Sequence, residues 1–509
     1  MIRPVALVSA GTLGSRLSGF IRDALIAALL GAGHVADAFL LAFQLVNVAR
    51  RFLSEGALNA VLVPAYLRIR DEQGEGAAAS LAGRALGTIG IAVIVAALLL
   101  GIAAPPAVAA LAPDLAAQPA FQLGVDAARL MLPYLAFVGP VAVIASVLNA
   151  HGSVALTSFS PVLFNAAMIA TVAALLVMGW NARTSALALA AAVGVGGCLQ
   201  LFFLGFSGAR YARPVQVSAA PEIRELFRRA LPGMIAQSGP QLLLLAGAVV
   251  ASASPAAVSW IYFASRLVEL PLGLVSAATG AVLIPRLSGS SGDDHRAAAS
   301  TSAAALQLSL GLALPASVGL VLLAHPIVAL LLERGAFTPG DTHATALALA
   351  ILATALPALA LTKPLAAIFF ARGQMLQPMI ATLAGLLITL SAAALAHPHH
   401  GYIGVAVAIS IGSWLIALWL GAVLKARNDH AVEARTGRNV AFIGLSSVAM
   451  GAALAAAQWH IPVTDTAGLL PRAIALGTLI ALGMLVYAAC LRLLGVIDFR
   501  VIRSAFGER

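Results

Sequence analysis

Apolar blocks of roughly 20–30 residues, parted by short polar breaks, run from one end of this chain to the other. Each block has the length of one bilayer-crossing helix. A segment in hydrocarbon must satisfy its own backbone N–H and C=O groups, which leaves only helices or a closed barrel. The alternating ten-residue pattern of a barrel is absent. The sequence therefore predicts an all-α polytopic membrane protein. Its two cysteines, Cys198 and Cys490, both lie in apolar runs and supply neither a disulfide framework nor a zinc spacing. Arg16 and Arg22 interrupt the first apolar run and no small-residue cleavage site follows, so the first helix is expected to stay in the mature protein.

Fourteen transmembrane helices fit, centred near residues 18, 50, 97, 138, 168, 196, 240, 268, 315, 357, 385, 413, 448 and 481. The formal net charge of +10 raises nucleic acid as a partner, but its distribution argues against that. Loops after even-numbered spans, with both termini, hold twenty Lys and Arg; the opposite side holds only Arg129, Arg183, Arg334 and Arg472. That is the positive-inside bias, and it puts both termini in the cytoplasm. The basic excess is a topology signal.

An internal repeat divides the chain. AVLVP at 60–64 recurs as AVLIP at 281–285, an offset of 221 residues. Leu132-Pro133-x-Leu135-Ala136-x-x-x-Pro140 recurs as Leu356-Pro357-x-Leu359-Ala360-x-x-x-Pro364, an offset of 224. Six spans fit within that offset. An even number gives both copies one membrane orientation, so two six-helix lobes related by a pseudo-two-fold along the membrane normal are expected, with a central cavity. The boundaries that follow are an N-lobe over 1–208, a basic cytoplasmic linker over 209–230, a C-lobe over 231–428, and helices 13 and 14 with a basic tail over 429–509. Pro133, Pro140, Pro357 and Pro364 are expected to bend their helices. Gly83-x-x-x-Gly87 has the spacing of a close-packing site, an ordinary find among 46 glycines.

Ten charged residues stand inside the spans: Arg16, Arg22, Arg50, Arg51, Arg266 and Lys363 against Asp23, Asp37, Glu55 and Glu269. Each costs about 2.5–3.5 kcal/mol at mid-bilayer, so they must pair or line a wet interior. Arg51 with Glu55 and Arg266 with Glu269 have helical pairing distances, and Arg16 shares a face with Asp23. Pairing leaves two cations over. All but Lys363 are Arg, whose planar fork keeps its charge in a low-dielectric site and matches phosphate oxygens. The pattern points to a buried phosphate-bearing ligand. The alternative is that these arginines only lock helices through salt bridges and carbonyl contacts, and for Lys363 that it reaches toward the cytoplasmic interface.

Three stretches carry a family resemblance: Ser15-Arg16-Leu17-Ser18-Gly19-Phe20-Ile21-Arg22-Asp23; Gly31-Ala32-Gly33 with Asp37-Ala38-Phe39; and Asn47-Val48-Ala49-Arg50-Arg51 with Glu55-Gly56-Ala57. They closely resemble the MurJ (MviN) family of lipid II flippases, within the multidrug/oligosaccharidyl-lipid/polysaccharide exporter superfamily. Phe159-x-Pro161-Val162-Leu163-x-Asn165, Ser259-Trp260-x-Tyr262 with Arg266-Leu267-x-Glu269, and Arg334-Gly335-Ala336-Phe337-Thr338 extend the likeness over the chain.

The resemblance implies fourteen helices around a V-shaped cationic cavity, with a groove toward the last two helices for a lipid tail. The implied substrate is undecaprenyl-pyrophosphoryl disaccharide-pentapeptide, moved across the bacterial inner membrane for peptidoglycan synthesis. Arg22, Arg50 and Arg266 take the diphosphate-binding positions, with Arg16, Arg51 and Ser15 beside them. Asp23, Asp37, Glu55, Glu269 and Lys363 take cavity or gating positions. The implied protein is a monomeric transporter without cofactor, amid membrane lipids, with the cell-wall synthesis machinery as a further contact. Some members carry a sodium site in helices 7, 11 and 12. Here helix 7 offers Gln237 and Gln241 but no acid, and helices 11 and 12 lack Asp, Glu and Asn, so that site is not expected. Membrane potential, or proton coupling through Asp23, Asp37 or Glu55, is the expected drive.

Four other readings compete, of which a non-transporting scaffold would leave the ten buried charges without a purpose. One is another lipid-linked oligosaccharide flippase of the same superfamily. A multidrug antiporter of the same superfamily would want an acidic interior. A membrane enzyme on polyprenyl phosphates would want an acidic metal-binding loop. His397-Pro398-His399-His400 reads as an exposed external turn rather than a metal tract, and Arg210–Arg229 as an amphipathic segment on anionic headgroups.

Overall fold

The computed structural model describes residues 2–54, 57–111, 120–218, 220–287, 295–427, 434–461 and 468–496, and every regular element among them is helical. In chain order the helices begin with α1 (Ile2–Leu30), α2 (His34–Ser54), α3 (Ala57–Gln73), α4 (Glu75–Ile102), α5 (Ala104–Leu111), α6 (Ala120–Met131) and α7 (Pro133–Ala150). Next come α8 (Val154–Met178), α9 (Ala182–Gly208), α10 (Pro221–Gln237), α11 (Gly239–Ala251) and α12 (Ala257–Leu287). The last are α13 (His295–Leu322), α14 (Ala324–Leu332), α15 (Pro339–Ala353), α16 (Leu356–Ala371), α17 (Leu376–Ala426), α18 (Ala434–His460) and α19 (Leu469–Leu493).

Among the described residues, nine helical stretches are long and apolar enough to cross a membrane. The number is eleven if the bent pairs α10–α11 (59°) and α15–α16 (42°) each count as one span. Neither α1 nor α2 is in that set. Those are the helices that carry Arg16, Arg22, Asp23, Asp37, Arg50 and Arg51. The 51-residue α17 is two helices joined across Gly401, whose φ of 54° breaks the helical run. Apolarity alone thus returns fewer spans than the fourteen of the sequence reading.

Both copies of the Leu-Pro repeat fall at a helix boundary, though α6 and α7 run on as one span over Ala120–Ala150 while α15 and α16 are bent by 42°. Pro133 opens α7 directly after α6, and Pro357 stands in the first turn of α16 after α15. Proline is tolerated there because the first helical N–H groups lack intrahelical partners anyway. Pro140 and Pro364 then sit inside the second helix of each pair.

The helices form two compact units. One holds the residues up to Phe263 with Arg334–Asp341 and Gln374–Gly412; the other holds Ala264–Glu333, Thr342–Gly373 and the chain from Ser413 onward. In the first unit, Leu58 and Leu62 of α3, Leu81 and Ile89 of α4 and Val143 of α7 make a buried apolar cluster. Glycines let neighbours approach where lipid gives helices no hydrophobic incentive to associate. A Cβ on Gly196 would strike Phe164, and one on Gly197 would strike Tyr134. In the second unit, Met450 and Leu454 of α18 pack with Leu476 and Leu479 of α19.

Gly83 and Gly87 have a definite task. The irregular segment after α9 crosses α4, and Cβ atoms on these glycines would collide with the carbonyls of Pro214 and Gln216. Gln216 N–H donates to the Gly83 carbonyl at 3.3 Å, and Ser218 N–H to Thr88 Oγ1 at 3.0 Å. The connection between α9 and α10 is therefore laid in a notch of α4.

Candidate functional site

Arg22 is the most enclosed of the expected cations, 7% exposed beside an Asp23 that is 2% exposed. Its Nε and Nη2 both reach Asp23 Oδ1, at 2.9 and 2.7 Å. Its Nη1 donates to Asn165 Oδ1 of α8 at 2.9 Å. The Phe43 and Phe164 rings flank the guanidinium, 5.1 and 5.9 Å from its carbon. Asp23 Oδ1 also accepts from the Tyr262 hydroxyl at 3.3 Å. Small residues bring α1 close enough for this: Gly11 meets Ser158, Gly14 meets Val162 and Gly19 meets Asn165. Asn165 Nδ2 then donates to the Ser15 carbonyl and to Ser18 Oγ, both at 3.0 Å.

Arg50 and Arg51 are half-buried on α2, as are Ser15 and Arg16 on α1. Arg50 Nε donates to Asn47 Oδ1, one turn back, at 3.3 Å. Tyr134 of α7 is 2% exposed, and its hydroxyl donates to Gln200 Oε1 at 3.4 Å. Glu55, expected to pair with Arg51, lies outside the described residues.

Asp37 has a different kind of partner. Its carboxylate accepts the Ser259 backbone N–H and hydroxyl, in the first turn of α12. A carboxylate there satisfies N–H groups that the helix leaves open and faces the positive end of its dipole. Near it, Trp260 Nε1 donates to Asp341 Oδ1 at 3.0 Å. Asp341 Oδ2 accepts from Thr338 N–H at 3.0 Å and from Thr338 Oγ1 at 2.8 Å. This is a capping box, Thr338-Pro339-x-Asp341, at the start of α15. The stretch before it is pinned to α1 by Ala336 N–H on the Ala28 carbonyl at 2.8 Å, and Phe337 meets Phe263 edge-on at 5.7 Å.

In the second unit the expected Arg266–Glu269 pair forms, at 2.9 Å and one turn apart on α12. Lys363 Nζ of α16 donates to Ser276 Oγ at 3.0 Å. Spacings of three and seven residues put Arg266, Glu269 and Ser276 on one face of α12. Lys363 therefore addresses the face that bears the ion pair.

Asn165, Ser259, Tyr262, Ser276 and Asp341 join these sites without being among the expected site residues. Only Asp341 had a local signal, the capping box. The others find partners between 87 and 239 residues away, which no spacing reveals.

The family model described as lipid II flippase MurJ matches residues 26–480. The chain belongs to the MurJ family. The probable lipid II flippase MurJ of Rhizobium meliloti (strain 1021) is 33% identical over 516 residues, spanning 99% of this chain and 96% of its own. The lipid II flippase MurJ of Burkholderia cenocepacia is 32% identical over 443 residues, with 84% and 85% covered. A solved lipid II flippase MurJ in an inward closed conformation shares the fold, with a TM-score of 0.78 at 21% identity over 95% of this chain and 98% of that one. An inward-facing multidrug resistance MATE family transporter of the MOP superfamily shares it less closely, with a TM-score of 0.61 at 16% identity over 85% of this chain and 99% of that one. A MurJ-family chain of this kind is a multi-pass membrane transporter, not an enzyme.

The sodium site of some MurJ-family proteins does not fit these residues. Where α10 breaks into α11 beside α17, Thr382 Oγ1 donates to the Ala236 carbonyl at 3.4 Å and Thr389 Oγ1 to the Ala408 carbonyl at 3.5 Å. Gly412 packs directly on Thr389 and Gly385, and Ile409 on Gly247. Residues 230–251 and all of α17 contain no carboxylate, and a hard cation wants one with several further oxygens. His397 meets Ser254 at 3.0 Å just before the Gly401 break, and among the described residues no three His, Cys, Asp or Glu side chains gather as metal ligands.

Proposed function

We propose that this MurJ-family protein carries lipid II from the cytoplasmic to the periplasmic leaflet of the bacterial inner membrane by alternating access, with both termini cytoplasmic. Arg22, Arg50 and Arg266 bind the diphosphate; Arg16, Arg51 and Ser15 flank it. Asp23, Asp37, Glu55, Glu269 and Lys363 serve as counter-charges that re-pair as access alternates. The fourteen-span reading takes α1 and α2 as charged spans and counts α17 twice.

The single observation that carries this is Arg22: a guanidinium held almost out of solvent in a helix of an otherwise apolar chain. One carboxylate, one amide and two aromatic rings are among the groups around it. An Arg kept charged there is suited to a desolvated diphosphate, whose oxygens its fork matches. Membrane potential, or a proton taken by Asp23, Asp37 or Glu55, drives the cycle.

The test is a leaflet-resolved assay of labelled lipid II in proteoliposomes, with and without an imposed potential. The wild-type protein should move label across, faster with potential and equally without sodium. The Arg22→Ala/Arg50→Ala variant should reconstitute normally and stay near the protein-free rate. Wild-type translocation by that variant, or collapse on removing sodium alone, would overturn the corresponding part of the proposal.

A further inference from the structure

Asn165 is 5% exposed and makes three hydrogen bonds that fix its amide one way round. Oδ1 faces the Arg22 donor, and Nδ2 faces two acceptors on α1. Ser18 Oγ spends its own proton on the Ser15 carbonyl at 3.1 Å, which leaves a lone pair for Asn165. A flipped amide would set NH2 against the guanidinium and oxygen against the Ser15 carbonyl, unfavourable at both ends. One orientation remains.

That orientation matters for the shape of the Arg22 site. Asp23 occupies the Nε–Nη2 edge of the guanidinium, the edge with which Arg grips a phosphate or carboxylate two-handed. Asn165 holds Nη1, away from that edge. With Nη1 anchored to α8 and the ring faces at 5.1 and 5.9 Å closing the sides, the fork can exchange one oxyanion for another without swinging away.

We propose that Asn165 is a positioning residue for Arg22: its amide, locked to the Ser15–Ser18 turn of α1, sets the plane of the guanidinium so that the Nε–Nη2 edge receives a diphosphate. This rests on the reading of Arg22 as a diphosphate ligand. Asn165 itself need not touch the substrate. Its effect is on selectivity, because a planar fork of fixed orientation favours two linked phosphates over one, whereas a freely turning charge favours neither.

The experiment measures binding of undecaprenyl pyrophosphate and undecaprenyl phosphate to the full chain in nanodiscs. Asn165→Leu keeps side-chain size and loses all three hydrogen bonds; it should bind the diphosphate about tenfold more weakly, with the monophosphate little changed. Asn165→Ser, smaller and less apt to disturb packing, should shift the ratio in the same direction. Arg22→Ala should abolish the preference, and adding Asn165→Leu to it should cost nothing more, as expected of two residues acting through one interaction. A wild-type diphosphate-to-monophosphate ratio in a folded Asn165 variant, with the ratio lost in Arg22→Ala, would overturn the positioning role alone. A wild-type ratio in Arg22→Ala would overturn the diphosphate reading and the positioning role with it. Additive losses in the double variant would assign Asn165 an independent contact and also overturn the proposal.

Discussion

Asp37 and Ser259 stand 222 residues apart and meet through two hydrogen bonds to one carboxylate oxygen, 2.8 Å from the backbone N–H and 2.5 Å from the hydroxyl. That separation falls between the two offsets of the internal repeat, 221 and 224 residues. A carboxylate in the first copy thus caps a helix at its counterpart position in the second. The strength of this contact comes from the helix terminus it satisfies, since open N–H groups buried away from water are costly.

The two hydrogen bonds can be separated by substitution. Ser259→Ala keeps the N–H contact and should cost about 1 kcal/mol. Asp37→Ala leaves both donors open and should cost about 2–3 kcal/mol. Asp37→Asn, which retains an acceptor, should fall between them. Thermal unfolding of the purified protein in one detergent gives the ranking; identical melting temperatures across the series would remove Asp37 from any role in holding the α12 terminus.

The notch in α4 makes a second prediction. Gly83→Val should displace the irregular segment after α9, because the new side chain would occupy the place of the Pro214 carbonyl. A Gln216→Cys reporter should then react faster with a membrane-impermeant maleimide, by about tenfold, as its local structure opens. Gly90→Ala is the control: its Cβ would rest 3.8 Å from Pro140, an ordinary contact, and should leave the reporter rate unchanged. Equal reporter rates in Gly83→Val and the unsubstituted glycine protein would mean the segment is not held by the notch.

Much of this architecture was legible because hydrocarbon is an unforgiving solvent. Charged residues inside apolar runs had to be purposeful, and Arg22, Asp23, Asp37, Arg266 and Glu269 indeed all have polar partners. Pro133 and Pro357 announced helix breaks through their missing N–H. Partner identity was less accessible. Asp23 shares a face with Arg16 by spacing, yet it binds its immediate neighbour Arg22 and Tyr262. The Gly83-Gly87 spacing is visible, but what fills it is an irregular segment without periodic pattern. Asn165 belongs to a recognisable motif, yet nothing in its helix hints at an arginine 143 positions earlier. Local physics writes helices and their ends into the sequence; the partner across a helix pair is set by crossing geometry, which it does not spell out.

Lys363 offers a third prediction. Its hydrogen bond to Ser276 aims an ammonium at the face of α12 that carries Arg266 and Glu269. If that charge serves the transported anion, Lys363→Met should lower lipid II translocation several-fold, while Ser276→Ala, which removes only the tether, should stay within about twofold. Lys363→Arg should restore most of the activity. Full activity in Lys363→Met would return the residue to a structural role beside α12.

The last prediction separates charge from geometry at the cationic positions. A lysine at 50 or 266 preserves the positive charge but replaces a planar, five-donor fork with a strongly hydrated point charge. If the ligand were a simple carboxylate drawn in by field alone, Arg50→Lys and Arg266→Lys would behave nearly as the parent does. A diphosphate gripped two-handed demands more, and the loss of one charge-assisted hydrogen bond costs about 1.5–3 kcal/mol, or roughly tenfold to a hundredfold in binding. Both Lys variants should therefore fail to restore growth of a flippase-depleted strain at ordinary expression, with normal membrane levels on immunoblot, and the Ala variants should fail at any level. Arg266→Lys has an internal control, since its partner Glu269 at 2.9 Å can still pair with an ammonium. If Lys at both positions supports wild-type growth, the guanidinium shape is irrelevant and the ligand's phosphates are held by net charge instead of by a fork.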